Sequence, residues 1–181
     1  GRYDLHPLLR DYAQALAGKA GERERWAERH ARYFVALADW ARDQLGDPET
    51  ALQAVGTAAV ERGNLLATQE ACLGLGMRDE AVSLAYDLDD LFERSGHWAD
   101  RRRALERGIG AAREGERRQD EAGLAHNLGV VAQDEGDYAE ARRLYDESLE
   151  IARALGDRSG VAIALHQLGM LAEDKGDYAE A

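Results

Sequence analysis

The chain has 181 residues, 45% of them hydrophobic and 32% charged, and a formal net charge of −12. The length suits one domain with a sizeable core, the hydrophobic share excludes wholesale disorder, and the acidic balance excludes a dedicated nucleic-acid binder, which needs clustered Lys and Arg. Two prolines and abundant alanine favour helix over strand, and the single cysteine, Cys72, excludes an internal disulfide or a multi-Cys metal site.

Taken in chain order, Gly1 to Leu5 reads as the end of a strand, and His6-Pro7 opens a helix running to about Leu16. No charged-then-apolar leader follows Gly1, and the chain is expected to be a piece of a longer protein. Residues 22–45 predict a long amphipathic helix with Trp26, His30, Tyr33, Phe34, Leu37 and Ala41 as its buried face. Asp47-Pro48-Glu49 is a helix start with Asp47 as N-cap; the helix runs to about Leu73, either whole or broken near Gly56 or Gly63. The apolar spacing then predicts helices at 78–94, 98–114, 118–135, 138–155 and 158–175, and another from about 178. Gly76, Gly96, Gly115, Gly136, Gly156 and Gly176 fall between them at roughly twenty-residue steps, where glycine closes a helix in the left-handed conformation. No run of 18 apolar residues is present.

The second half repeats itself. Gly129 to Ala141 reads GVVAQDEGDYAEA, and forty residues later Gly169 to Ala181 reads GMLAEDKGDYAEA. His126 pairs with His166 and Leu128 with Leu168. A fainter copy lies forty residues upstream, where Leu88, Gly96, Trp98 and Ala112 match Leu128, Gly136, Tyr138 and Ala152.

These residues resemble tetratricopeptide repeats. The first helix carries Leu128-Gly129 and Leu168-Gly169, an aromatic follows the Gly-Asp turn at Tyr138 and Tyr178, and a small residue sits early in the second helix at Ala141 and Ala181. Tyr145 is the aromatic one turn later. In the upstream copy Asp89 stands where the Gly belongs and Arg101 where the Ala belongs, so irregular packing is expected there. The resemblance implies an all-α, right-handed superhelix of antiparallel helix pairs. At the other end, Arg2-Tyr3-Asp4-Leu5-His6-Pro7-Leu8-Leu9-Arg10-Asp11-Tyr12-Ala13 resembles the close of the winged-helix segment in STAND signal-transduction ATPases, among them the antibiotic regulatory proteins of actinomycetes. Glu61-Arg62-Gly63-Asn64-Leu65-Leu66-Ala67 is similar to the segment that precedes their repeats. The expected divisions are thus residues 1–18, the tail of a winged-helix-like segment; 19–77, connecting helices; and 78–181, the repeats, divided at 117 and 157.

Little catalytic chemistry is visible. G-x-x-x-x-G-K-[ST] is missing, and Gly18-Lys19-Ala20 lacks the metal-binding hydroxyl. Gly108-Ile109-Gly110 lies inside a helix with no strand before it, which speaks for close packing rather than dinucleotide binding. His126 and His166, with Asp90, Asp134 and Glu173 as the nearest carboxylate candidates, lack metal-site spacing. Cys72 in an apolar helix reads as inert packing. Arg94 to Arg118 holds eight arginines against four acidic residues, leaving −16 for the rest of the chain. Intrahelical pairs such as Arg102 with Glu106 are the plain account of that segment, and an acidic or phosphate contact the alternative.

By the family's geometry the first helix of each pair lines a concave groove. The expected wall is Tyr86, Asp90 and Glu93; then His126, Val130 and Gln133; then Ile163, His166, Met170 and Glu173. His126 and Val130 stand where a carboxylate clamp would want a cation and an amide, so a basic or apolar partner segment fits better. The resemblance therefore implies a non-catalytic interaction or ligand-sensing module in the cytoplasm, without metal or cofactor. Its partner is a protein or peptide, with the parent's own ATPase core and a small effector as candidates, and neither nucleic acid nor membrane is expected as a partner. The alternative is a self-association scaffold that pairs copies through Ile163, Leu168 and Leu171.

Overall fold

The computed structural model describes residues 21–174, together with Tyr12, Ala15, Leu16 and Gly18. Every regular element among the described residues is helical. The seven helices there are α1 (Arg23–Asp43), α2 (Pro48–Gly74), α3 (Arg78–Ser95), α4 (Trp98–Glu114), α5 (Arg118–Asp134), α6 (Tyr138–Leu155) and α7 (Arg158–Asp174), with a 3-10 turn at Gln44–Gly46. The strand expected at residues 1–5 and the helix expected from 178 lie outside the described residues; of the helix expected at 6–16, Tyr12, Ala15 and Leu16 are described and helical.

Local chemistry explains most boundaries. Asp47 caps α2, its Oδ1 accepting from the Glu49 N–H at 2.9 Å, with Pro48 in the first helical turn. Neither Gly56 nor Gly63 breaks α2, and a side chain at either would meet open space. The later turns share one hydrogen-bonding pattern. The N–H of Met77, His97, Arg117, Asp137 and Asp157 each reaches back to the carbonyl of Cys72, Phe92, Ala112, Ala132 and Ala152 respectively. That six-to-one bond needs a left-handed residue just before it. Gly76, Gly96, Gly136 and Gly156 supply it, but at the third turn the left-handed residue is Glu116, at φ 55°, and not Gly115. The expected role of Gly115 is therefore corrected: the twenty-residue register puts the strained position one residue later, on a side chain.

Consecutive helices pack on one another, and a second set of contacts joins α1 to α3, α2 to α4, α3 to α5 and α5 to α7. Helices α4 and α6 stay farther apart and are linked by the ion pair of Arg113 with Glu147. This is an all-α solenoid of antiparallel pairs. Its core forms two adjoining clusters, one around Phe34, Leu65, Leu88 and Phe92, the other around Leu105, Leu124, Val131 and Tyr145.

Small residues set the closest approaches. A Cβ at Gly129 would lie 2.5 Å from Tyr145 Cε1, so this glycine is what admits the phenol ring between α5 and α6. A Cβ at Gly108 would overlap Ala85, which confirms close packing for the Gly108-Ile109-Gly110 run at its first glycine. On α1 the buried seam is Ala31, Phe34, Ala38 and Ala41, while Trp26, His30 and Tyr33 are exposed. That corrects the expected face: α1 meets its neighbours along an alanine stripe, and the larger aromatics flank it outside.

The upstream copy is regular, against expectation. Asp89 and Arg101 are both buried, and the Arg101 Nε donates to Asp89 Oδ1 at 2.6 Å. Asn127 Nδ2 donates to the other carboxylate oxygen at 2.7 Å. An ion pair thus stands where the next repeat carries Gly129 and Ala141, and the smaller Leu105 stands where Tyr145 lies against Gly129 one repeat later.

Candidate functional site

Helices α3, α5 and α7 place the expected wall residues as follows. Tyr86 of α3, His126 of α5 and Ile163 of α7 come together around one cavity of about 370 Å³. Gly123 and Asn127 of α5, Ser148 and Ala152 of α6, and Gly160 of α7 also line it. The other wall residues lie elsewhere. Asp90 pairs with Arg42 of α1 at 3.2 Å, and Glu93 lies 3.4 Å from Arg101. Gln133 accepts from the Tyr145 hydroxyl at 2.9 Å, and Val130 packs against the core. His166, Met170 and Glu173 are exposed on α7.

The cavity is shaped by what its walls are fastened to. The Tyr86 hydroxyl donates to the Asp120 carbonyl at 3.2 Å, and its ring lies over Gly123, where a Cβ would come within 2.5 Å of the hydroxyl. Burial pushes the Tyr86 phenol up to about 12, so it stays protonated and serves as a donor. Burial also lowers His126 below the usual imidazole range, which keeps the ring neutral near pH 7. Its Nδ1 is buried without a hydrogen-bond partner, and the ring centroid lies 5.5 Å from that of Tyr145. The charged side chains on the lining are Asp120, held by Arg117 at 2.7 Å, and Asp157, whose Oδ1 caps α7 by accepting from the Ser159 and Gly160 N–H groups.

Sequence reasoning missed Ser148, Gly160 and Asn127 as part of this site. The forty-residue alignment held the signal: Ser148, Gly160 and Asn127 replace Gly108, Asp120 and Asp87 of the preceding repeat.

The remaining candidates resolve simply. Among the described residues no group of three or more His, Cys, Asp or Glu is placed to hold a metal ion. Cys72 is buried, and its thiol is pushed up to about 11 by that burial, which suppresses the nucleophilic thiolate. The arginine-rich segment is matched by carboxylates of this chain. Arg102 holds Glu106 and Glu135, Arg107 holds Glu70, Arg113 holds Glu121 and Glu147, and Arg117 holds Asp79. Most of these pairs join different helices, so the intrahelical account was too narrow. No helix among the described residues is long and apolar enough to cross a membrane.

A tetratricopeptide-repeat family model matches residues 120–181. This stretch is similar to tetratricopeptide repeats. It takes in α5, α6 and α7, the helices that build most of the cavity. Tetratricopeptide repeats serve as interaction surfaces between proteins, and a solenoid suits that role because it offers an extended curved face. No curated protein matches the chain.

Proposed function

We propose that this chain is a non-catalytic protein-interaction and ligand-sensing module, the sensor arm of a larger STAND-type regulatory protein, acting in the cytoplasm. The observation that carries the reading is the cavity bounded by Tyr86, His126 and Ile163 in a helical stack whose second half is similar to tetratricopeptide repeats. The motif from Arg2 to Ala13 supports the link to a winged-helix neighbour. In this reading the partner is a protein or peptide, the parent's ATPase core foremost, and a small effector shifts the parent between closed and open forms by binding one of them more tightly. In this reading the exposed His166, Met170 and Glu173 extend the binding face beyond the cavity, while Asp90, Glu93, Val130 and Gln133 brace it through their own contacts. The test is titration of this chain against the nucleotide-binding module of its parent polypeptide, with the ATP hydrolysis rate as readout. Binding with a changed rate is expected; no binding and an unchanged rate overturn it.

Self-association is the second reading, supported by the exposed Ile163, Leu165 and Met170 on α7. Leu171, assigned to that edge from sequence, is instead buried in the core, and Leu168 is half-buried against it. Sedimentation at several concentrations decides: a strict monomer removes this reading.

A further inference from the structure

The corner between α6 and α7 repeats the corner between α4 and α5 with its carboxylates taken out. At the α4–α5 corner the buried Glu121 is held by Arg113 at 2.8 Å and by Arg118 at 2.5 Å, and Glu147 of α6 also reaches Arg113. Forty residues on, both arginines return as Arg153 and Arg158. Glu121 has become Val161, and Glu116 of the turn has become Gly156. Arg153 and Arg158 line one open cavity of about 400 Å³ together with Gly156, Val161, Ala162 and Leu165. Both are exposed, and neither forms an ion pair among the described residues. A chain of net charge −12 thus leaves two uncompensated guanidinium groups at one site.

We propose that this corner binds a glutamate side chain of a partner protein, its carboxylate between Arg153 and Arg158 and its stem on Val161 and Leu165. The upstream corner displays the arrangement: the same two arginine positions converge there on one glutamate carboxylate. The planar guanidinium fork matches a carboxylate in shape as well as charge. The aliphatic lining suits the methylenes that carry that carboxylate. The corner shares no lining residue with the cavity of Tyr86 and His126, so it is a separate contact. The inference rests on the interaction-module reading and adds to it a second surface, selective for acidic side chains.

The probe is an acetylated and amidated Gly-Leu-Glu-Leu-Gly peptide, compared with its Gly-Leu-Gln-Leu-Gly counterpart by chemical-shift titration of the labelled chain at low salt. The net charge of the chain repels the Glu peptide, so a preference for it isolates the local site. Wild type is expected to prefer the Glu peptide by about three- to tenfold, the range that two exposed ion pairs give. Arg153→Gln and Arg158→Gln should each reduce the preference and together remove it, with the melting temperature unchanged. Arg113→Gln takes a partner from the buried Glu121 and should lower the melting temperature instead. Val161→Glu restores the carboxylate of the upstream corner and should also abolish the preference. Equal affinity for the two peptides, or a preference that persists in the double arginine variant, overturns the proposal. So does a melting temperature that falls in the Arg153 and Arg158 variants as far as in Arg113→Gln, because the chain itself would then occupy the site. Inorganic phosphate binding these two arginines as tightly as the Glu peptide would assign the corner to free anions and overturn it as well. Binding of the ATPase module without a Glu preference leaves the interaction reading standing; a Glu preference without module binding keeps this site and removes the link to the parent.

Discussion

Arg101 and Asp89 form a couple whose worth depends on both members being present. Each is buried, and burial outweighs the Arg101 guanidinium in holding the Asp89 carboxyl above the usual carboxylate range. Removing one partner strands the other, so Arg101→Ala should cost about 3–5 kcal/mol in chemical denaturation. The double change Asp89→Gly with Arg101→Ala restores the Gly/Ala pattern of the next repeat and should recover most of that loss; an additive result would show that the pair does not interact. Glu116 offers the opposite case. It holds φ 55° where the other four described turns use glycine, so Glu116→Gly should raise stability by about 1 kcal/mol in the same assay. Asp87 supplies a pH signature. It is 1% exposed, with Arg42 Nε 3.8 Å away and one oxygen unpartnered, and burial first, then Asp39, Asp90 and Asp43, push it up to about 7. A carboxyl raised in the folded state binds more protons there than in the unfolded chain, where its value is about 3.9. Its contribution to stability is present at low pH and is lost as pH rises from about 4 to 7. The melting-temperature difference between Asp87→Asn and wild type should therefore grow in favour of the variant across that range and level off above it.

At the scale of elements, the sequence was most readable where one force acted alone. Helices α3 to α7 fall within a residue of their expected bounds because apolar spacing and the turn register agree there. The face of α1 was misjudged because size was taken for burial. Alanines at 31, 38 and 41 make the seam, since two helix backbones approach closely only over small side chains, while Trp26 and Tyr33 remain 48% and 64% exposed. The degenerate copy was misjudged because a single-position pattern cannot express compensation: Asp89 and Arg101 each break the motif, and only three-dimensional contact shows that they break it together. Of the expected wall, Tyr86 and His126 meet at one cavity because they share one repeat register on α3 and α5, and Ile163 joins them from one turn before the matched His166, whereas Asp90 and Gln133 are engaged by Arg42 and Tyr145, partners that local spacing does not reveal.

Over the whole molecule, stability in such a stack is a sum of units and the interfaces between them. The inner units α3 to α6 are covered on both sides, whereas α7 leaves Ile163, Leu165 and Met170 between 43% and 49% exposed, and α1 carries its aromatics outside. Native-state hydrogen exchange should show the slowest amides in α3 to α6, with α1 and α7 opening at lower free energy; uniform protection from α1 to α7 would instead mean one all-or-none unit. The arginine pairs that bridge helices, such as Arg78 with Glu114 and Arg62 with Asp100, are exposed, so each contributes about 0.2–1 kcal/mol and serves register more than strength.

The backbone closure that recurs from Met77 to Asp157 also governs how this architecture changes length. Because these five corners are made by the same bond at the same interval, a duplicated or deleted block of two of them rejoins the chain in phase, with its seams still facing their neighbours. Genetic recombination can therefore lengthen or shorten the stack by whole rungs, and so change its span, while each corner keeps its closure.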